Sequence, residues 1–230
     1  MPAPESYVRL TQSFAVAASL LLLAGAAAAQ NRNINFDMLQ AARAGSEATV
    51  RALLDQGANP NSRNRFGDSA LNTAARTGNL GMAKLMLERG ADVNLANLAR
   101  VTPLMSAAFG GHVEILKLLL AAKADVRPTD RVEKTAMVYA AGQGCTACVE
   151  AVLGVGVDVN QRYANDATAL MWAAAYGHAD TVKFLLARGA DPAVADSRGK
   201  TAESIATEEK HSAVAALLGG SEIPGRKRAE

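Results

Sequence analysis

A repeat with a period of 33 residues constrains the fold of this chain more than any other feature. Hydroxyl residues, alanines and glycines each recur with this period, and the register holds across residues 36–218 without an insertion. The three series are Ser69, Thr102, Thr135, Thr168 and Thr201; Ala74, Ala107, Ala140, Ala173 and Ala206; and Gly78, Gly111, Gly144 and Gly177. A period of about 20–50 residues indicates stacked units, each of which buries its apolar face only against its neighbours.

Each unit carries the pattern of two short helices, and the unit that begins at Thr102 is the clearest. Thr102 is a favourable N-cap, and Pro103 fits the first helical position because its missing N–H costs nothing there. An apolar stripe follows, and the helix is predicted to stop at Gly111. A second helix is predicted over residues 112–121, with Ile115 on its buried side.

Glycine and then a polar stretch follow the second helix of most units. The glycines fit a left-handed helix end, and a polar stretch such as residues 61–68 is typical of a projecting loop or hairpin. These glycines are Gly57, Gly90, Gly156 and Gly189. Only 4% of the residues are aromatic and alanine is abundant, which favours closely packed helices over a β-sandwich.

The units resemble ankyrin repeats. The segment TPLMSAAFGGHVEILKLLLAAKADV (102–126) follows the family pattern closely, and so do TALMWAAAYGHADTVKFLLARGAD (168–191) and ERGADVN (88–94). The resemblance implies an all-α ankyrin-repeat solenoid of helix-turn-helix units with projecting hairpin loops. The predicted units are 34–65, a degenerate N-terminal cap, then 66–98, 99–131, 132–164 and 165–197, and a C-terminal cap at 198–218.

Several positions depart from the ankyrin pattern. The family histidine of the first helix is replaced by Asn72, Met105, Val138 and Met171, which removes its usual hydrogen bonds between repeats. The hairpin glycine is kept as Gly67 and Gly199 and replaced by Arg100, Glu133 and Asp166. Lys123 replaces a helix-ending glycine, at an expected cost of about 1 kcal/mol or less. We expect these changes to alter local contacts and leave the fold intact.

The first 29 residues predict export. The run from Phe14 to Leu23 is uncharged and apolar, and Ala27 and Ala29 stand in the relation of a signal-peptidase site. An uncleaved membrane anchor is the alternative, but the 16 residues from Phe14 to Ala29 fall short of the roughly 20 that a spanning helix needs. The alanine-rich signal fits a bacterium, so we expect a periplasmic protein, with secretion or anchoring as alternatives. Residues 219–230 lack periodicity and are predicted to be a disordered tail.

Charge and motifs argue against several functions. The formal net charge of +2 gives no reason to expect a nucleic-acid partner, and no second apolar run predicts a membrane span in the mature protein. His112, His178 and His211 share one register in separate units, which favours a structural role over a converging metal site. The glycines follow the repeat instead of forming a phosphate loop, and no nucleophile elbow is present. We expect neither an enzyme nor a cofactor.

Cys145 and Cys148 leave three interpretations open. Export to an oxidising compartment favours a structural disulfide. Burial favours a reduced pair, because Cys148 has the register of the core residue Ile115 and free cysteine often serves as a small hydrophobe. The spacing and a helix N-terminus also suit a thiol–disulfide redox protein, which is the alternative function, although no thioredoxin-like context surrounds the pair.

Ankyrin stacks bind through a concave face made of hairpin tips and the exposed ends of the first helices, and the register transfers that face to this chain. Apolar and arginine side chains there suggest a contact surface, with an ordinary solvated surface as the alternative. The candidate residues are Arg65, Phe66, Asp68, Arg76, Leu98, Val101, Phe109, Arg131, Lys134, Asn165 and Tyr176. Tyr139 and Trp172 are instead predicted to pack between neighbouring helices.

These observations predict a non-enzymatic protein–protein interaction module. It would act as a scaffold, stabiliser or inhibitor of a partner protein in the periplasm or outside the cell. The fold alone does not imply which partner, because ankyrin stacks serve many. We expect the module itself to be a monomer.

Overall fold

The computed structural model of the protein describes residues 34–220. The predicted signal peptide and nearly all of the predicted tail therefore lie outside the described residues. The helices are α1 (34–43), α2 (Glu47–Asp55), α3 (Ala70–Thr77), α4 (Leu80–Glu88), α5 (Pro103–Phe109), α6 (Val113–Ala121), α7 (Ala136–Gly142), α8 (Thr146–Leu153), α9 (Ala169–Ala175), α10 (Ala179–Ala187), α11 (Ala202–Glu208) and α12 (Ser212–Gly219). A short 3₁₀ helix spans Ala164–Asp166.

The helices form two layers. The first helices of successive units, α3, α5, α7, α9 and α11, pack side by side in one layer, and the second helices α2, α4, α6, α8, α10 and α12 form the other. The prediction of an all-α repeat solenoid is confirmed. No helix between residues 34 and 220 combines the length and the apolar character that crossing a bilayer requires.

The recurring hydroxyl residue begins each first helix. Ser69 Oγ accepts a hydrogen bond from Asn72 N, and Thr102 Oγ1 accepts one from Met105 N. The same bond recurs at Thr135, Thr168 and Thr201. An N-cap of this kind satisfies a backbone donor that the helix leaves unpaired. The periodic Ser/Thr position therefore fixes where every unit starts.

The recurring alanine lets neighbouring first helices approach closely. Ala74, Ala107, Ala140 and Ala173 are all 0–1% exposed. They belong to one continuous core with buried residues of the second helices such as Leu116. Because cores are packed at crystal-like density, a larger side chain at these positions would force the two layers apart.

Left-handed backbone ends the second helices, as the glycines predicted. Gly90, for example, has a φ of 78°. Lys123 adopts the same conformation at the end of α6, with a φ of 66°. At the hairpin position, Arg100, Glu133 and Asp166 are also left-handed without glycine, with φ values of 58–63°. The fold thus imposes the turn at these positions, and the side chains there tolerate the strain.

The three histidines tie three of the units to the unit before. Each begins a second helix, and its Nε2 reaches a backbone carbonyl 36 residues earlier: His112 to Arg76 O at 3.2 Å, His178 to Gly142 O at 2.9 Å, and His211 to Ala175 O at 3.1 Å. A carbonyl can only accept, so the proton lies on Nε2 in each ring. These side chains are part of the scaffold.

Candidate binding face

The residues assigned to the concave face lie on one continuous surface, which we call the loop–helix face. It consists of the projecting loops that precede α3, α5, α7 and α9, together with the C-terminal ends of these helices. Eight of the assigned side chains are exposed on it. They are Arg65, Phe66, Arg76, Leu98, Phe109, Arg131, Asn165 and Tyr176.

Three of the assigned residues are half-buried instead of exposed. Val101 is half-buried against the core, because it directly precedes the N-cap, where a residue packs onto the first helical turn. Asp68 is also half-buried, and its Oδ1 accepts a hydrogen bond from Asn97 Nδ2 at 2.8 Å. Lys134 is half-buried over aromatic rings. Val101 and Asp68 therefore support the face more than they offer contacts.

Exposed apolar side chains are concentrated on this face. Among the described residues, seven large apolar side chains are exposed, and five of them belong to it: Phe66, Leu98, Phe109, Val132 and Tyr176. Val132 is the most exposed of the seven, at 65%. It was missed from the sequence, although it stands 66 residues after Phe66 in the same register. A cluster of this kind is typical of a contact surface.

The loops of the face are held in place by short polar side chains. Asn64 Oδ1 accepts from the backbone N–H groups of Phe66 and Asp68, and Asn97 repeats the arrangement one unit later. Neighbouring loops are joined as well, because Leu98 N donates to Phe66 O at 3.0 Å. A face that is rigid before binding loses less conformational entropy when a partner docks.

Four aromatic rings form a pocket of about 320 Å³ at the centre of the face. Phe109 meets Tyr139 edge to face at 5.6 Å, and Trp172 stacks with Tyr176 at 6.2 Å between ring centroids. The ammonium of Lys134 lies 4.7 Å from the Trp172 centroid and 5.7 Å from that of Tyr139. Such contacts are favourable cation–π interactions.

The walls of this pocket modify one sequence prediction. Tyr139 and Trp172 do pack against the core, as expected, but both are only half-buried and also line the pocket. The indole Nε1 of Trp172 is buried without a hydrogen-bond acceptor. No sequence signal marked the pocket, because its rings come from three different units.

Tyr139 is fixed by the buried carboxylate of Asp130. The Tyr139 hydroxyl donates to Asp130 Oδ2, and Asp130 also accepts from the backbone N–H groups of Val132 and Lys134. Burial, together with this hydrogen bond and the nearby negative charge, raises the pKa of the Tyr139 hydroxyl well above its ordinary value. The hydroxyl therefore stays neutral, and the same carboxylate orders both the loop and the pocket wall.

A second, larger groove of about 750 Å³ lies between the loops that precede α7 and α9. It is lined by Arg127, Glu133, Asp158 and Tyr163, among others. The Tyr163 hydroxyl is buried without a partner, and burial, with the charge of Asp158, raises its pKa. The groove mixes both signs of charge, so it defines no single class of ligand.

The cysteines are joined in the structure as a disulfide between Cys145 and Cys148, with their Cα atoms 5.2 Å apart. Cys145 is half-buried at the N-cap of α8, and Cys148 is fully buried, in agreement with its core register. Cys145 holds the register of the three histidines, so the fourth unit has a disulfide where its neighbours have a bond to the preceding unit.

The comparison with family models agrees with this architecture. A model described as ankyrin repeats (three copies) matches residues 17–97, 38–130, 96–163 and 137–226. The chain therefore belongs to the ankyrin-repeat family, whose members are typically protein–protein interaction modules without enzymatic activity. A search of curated proteins found no match.

Proposed function

We propose that this protein is an exported, non-enzymatic binding module that holds a partner protein on its loop–helix face. The observation that carries the proposal is the concentration of Phe66, Leu98, Phe109, Val132 and Tyr176 on one preorganised surface. Aromatic side chains at the centre of such a surface supply most of the binding free energy in protein interfaces. The module would act by occupying, positioning or stabilising that partner.

The histidines support a non-catalytic role. His112, His178 and His211 are the residues best suited to proton transfer near neutral pH. Each of them is committed to a backbone carbonyl of the preceding unit. Their shared geometry serves the scaffold.

Capture from a periplasmic extract of the native host tests the binding face. We expect wild-type protein to retain a specific partner, and the triple variant Phe66→Ala, Phe109→Ala, Tyr176→Ala to retain at least about tenfold less of it. Phe36→Ala is the control, because Phe36 is 59% exposed and lies on α1, outside the face. Equal retention by the triple variant contradicts the face, and no specific retention by wild type contradicts the binding function.

Export to the periplasm is part of the same proposal. It is supported by the apolar run and the alanines of residues 1–29 and by the Cys145–Cys148 disulfide, since disulfides persist in oxidising compartments. Cell fractionation followed by N-terminal sequencing tests it. We expect periplasmic protein that begins close to residue 30, and full-length protein confined to the cytoplasm would refute export.

The Cys145–Cys148 disulfide is proposed to be structural. Exchange needs attack on an accessible sulfur, and access is restricted at both, because Cys148 is fully buried and Cys145 is half-buried. Incubation of the native protein with reduced glutathione distinguishes the two roles. We expect the disulfide to persist until the protein unfolds, whereas rapid reduction of folded protein supports the thiol–disulfide redox alternative.

A further inference from the structure

The aromatic pocket exists because one position of the repeat has lost its side chain. Gly142 ends α7 at the register where Phe109 stands one unit earlier and Ala175 one unit later. The space above Gly142 is bordered by Phe109 on one side and Tyr176 on the other. The result is an aromatic-walled cavity of about 320 Å³, suited to one large apolar side chain.

Lys134 places a positive charge at the edge of this pocket. Among residues 34–220 its ammonium has contacts with the Tyr139 and Trp172 rings and lies within ion-pair distance of no carboxylate. Of the two carboxylates on its own loop, Asp130 accepts from Tyr139 and from the backbone N–H groups of the loop, and Glu133 lines the larger groove. An ammonium held against ring faces keeps its charge available to an incoming anion.

The loop that carries Lys134 and the loop before it carry further exposed positive charge. Arg100 and Arg131 lie at the tips of these two loops, which are joined by the bond from Arg131 N to Ala99 O, and both side chains are exposed. Neither guanidinium forms an ion pair within the described part of the chain, in contrast to Arg76, which lies 3.9 Å from Asp68. Arg100, Arg131 and Lys134 outnumber the exposed Glu133 on these loops, and a net positive surface favours a partner of the opposite sign and accelerates its association.

We propose that the pocket binds one aromatic or branched aliphatic side chain from an acidic segment of the partner protein. A carboxylate next to that side chain pairs with Lys134, and further acidic residues meet Arg100 and Arg131. This inference rests on the proposed binding function and specifies its partner. A cationic ligand does not suit the site, because Lys134 already occupies the position over the rings.

Selection from a random library tests the chemistry without presuming a sequence. The probe is a phage-displayed library of 12-residue peptides, selected on the full-length protein and counter-selected on the Gly142→Leu variant. We expect enrichment of peptides with an aromatic or aliphatic residue flanked by Asp or Glu. Enrichment of basic peptides, of acidic peptides without an apolar residue, or of no peptide that the counter-selection removes would overturn the proposal.

Gly142→Leu fills the pocket without distorting the helix. A Cβ at Gly142 would lie 3.5 Å from Tyr176 Cε2, which is ordinary van der Waals contact, and the position has right-handed helical backbone. The variant is therefore expected to fold with an unchanged circular dichroism spectrum and a Tm no lower than that of the wild type. A loss of binding then reports the occupied pocket.

Trp172 is the single tryptophan of the protein, so its fluorescence reports directly on the pocket. An enriched peptide, synthesised and titrated, is expected to change the Trp172 emission in a saturable way. We expect Lys134→Gln to weaken the binding of this peptide at least about tenfold, and Lys183→Gln, an exposed lysine on α10, to leave it unchanged. Equal affinities for the two variants would contradict the role of Lys134.

The remaining outcomes separate this proposal from the broader one. A shift in Trp172 emission when the protein alone is concentrated would mean that a second copy fills the pocket, and would refute the acidic segment. If the native partner is captured equally by wild type and Gly142→Leu, the pocket proposal fails while the binding function stands. If neither captures a partner, the binding function fails.

Discussion

The loops that precede α3 and α5 are tied together by hydrogen bonds, whereas the equivalent loops that precede α7 and α9 are not. At the first of these sites, which we call the bridged junction, Asn61 Oδ1 accepts from Asp92 N at 2.7 Å. Arg63 Nη2 also donates to Ala96 O at 2.5 Å, and a backbone bond joins the loop tips. These three hydrogen bonds add to the one from Asn97 Nδ2 to Asp68 Oδ1 and to a longer one from Asn61 Nδ2 to Gly90 O, and together they connect two loops whose helices are already packed.

The second site, which we call the open junction, has other residues at the same three positions. Arg127 stands where the bridged junction has Asn61, and Thr129 stands where it has Arg63. At the loop tips, Val132 O and Ala164 N form no hydrogen bond with each other, and none of the three cross-loop bonds is present between these described loops. The larger groove lies in this gap.

Tyr163 explains part of the difference. Other loops have Asn64, Asn97, Asp130 or Asp196 at this register, and each accepts hydrogen bonds from two N–H groups of its own loop. A tyrosine cannot do so, and the loop instead forms a short 3₁₀ turn in which Asn165 and Asp166 are both left-handed. The helices pack in the same two layers at both junctions, whereas the hydrogen bonds between neighbouring loops differ from one junction to the next.

The largest expected effect is a difference in stability between two variants, Tyr139→Phe and Tyr163→Phe. Tyr139→Phe removes a hydrogen bond to the buried Asp130 and should lower the free energy of unfolding by about 1.5–3 kcal/mol. Tyr163→Phe removes a hydroxyl that is buried without a partner and should leave stability unchanged or raise it by up to about 1 kcal/mol. Urea denaturation of both variants measures the difference, and equal losses would show that Tyr163 has a partner in solution.

A smaller effect is expected from the asparagine of the bridged junction. Asn61→Ala removes the acceptor for Asp92 N and should cost about 1 kcal/mol, since the exposed N–H regains a bond to water. Arg127→Ala, the matched change at the open junction, removes only an exposed pair with Asp125 and should cost less than about 0.5 kcal/mol. Urea denaturation of both variants measures the difference. Similar urea midpoints would mean that the bond from Asp92 N to Asn61 contributes little to stability.

The smallest expected effect is a partial repair of the open junction. Arg127→Asn places an amide opposite Asp158 N and should raise stability by about 0.5 kcal/mol, the gain of one exposed hydrogen bond less the lost ion pair. Amide hydrogen exchange at Asp158 is the direct measurement, and we expect it to slow about threefold. Unchanged amide exchange at Asp158 would show that Asp158 N lies too far from residue 127 for this hydrogen bond to form.

The sequence predicts the scaffold better than the surface. A period fixes the role of a residue within its unit, so the N-cap at Thr102, the structural histidines and the core position of Cys148 follow directly from the register. The period does not show which side chains contact the neighbouring units and which stay exposed. Val101 was assigned to the exposed face but turns toward the core, and Val132 was overlooked.

The aromatic pocket shows the same limit. Gly142 becomes informative only when Tyr176, 34 residues later, is seen to border the space above it. Trp172 was assigned to the interior because large aromatic side chains are usually buried. In the structure it is only half-buried, and its remaining surface lines the pocket. Contacts across units depend on side-chain directions that a periodic alignment does not contain.

The open junction also bears on how the stack unfolds. In a linear array each unit touches only its neighbours, so stability is close to a sum of unit terms and nearest-neighbour coupling terms, as in a one-dimensional Ising chain. The boundary between folded and unfolded segments forms most readily where coupling is weakest. We therefore expect residues 165–218 to open as one cooperative block while the N-terminal units remain folded, with hydrogen exchange changing abruptly at the loop of Tyr163.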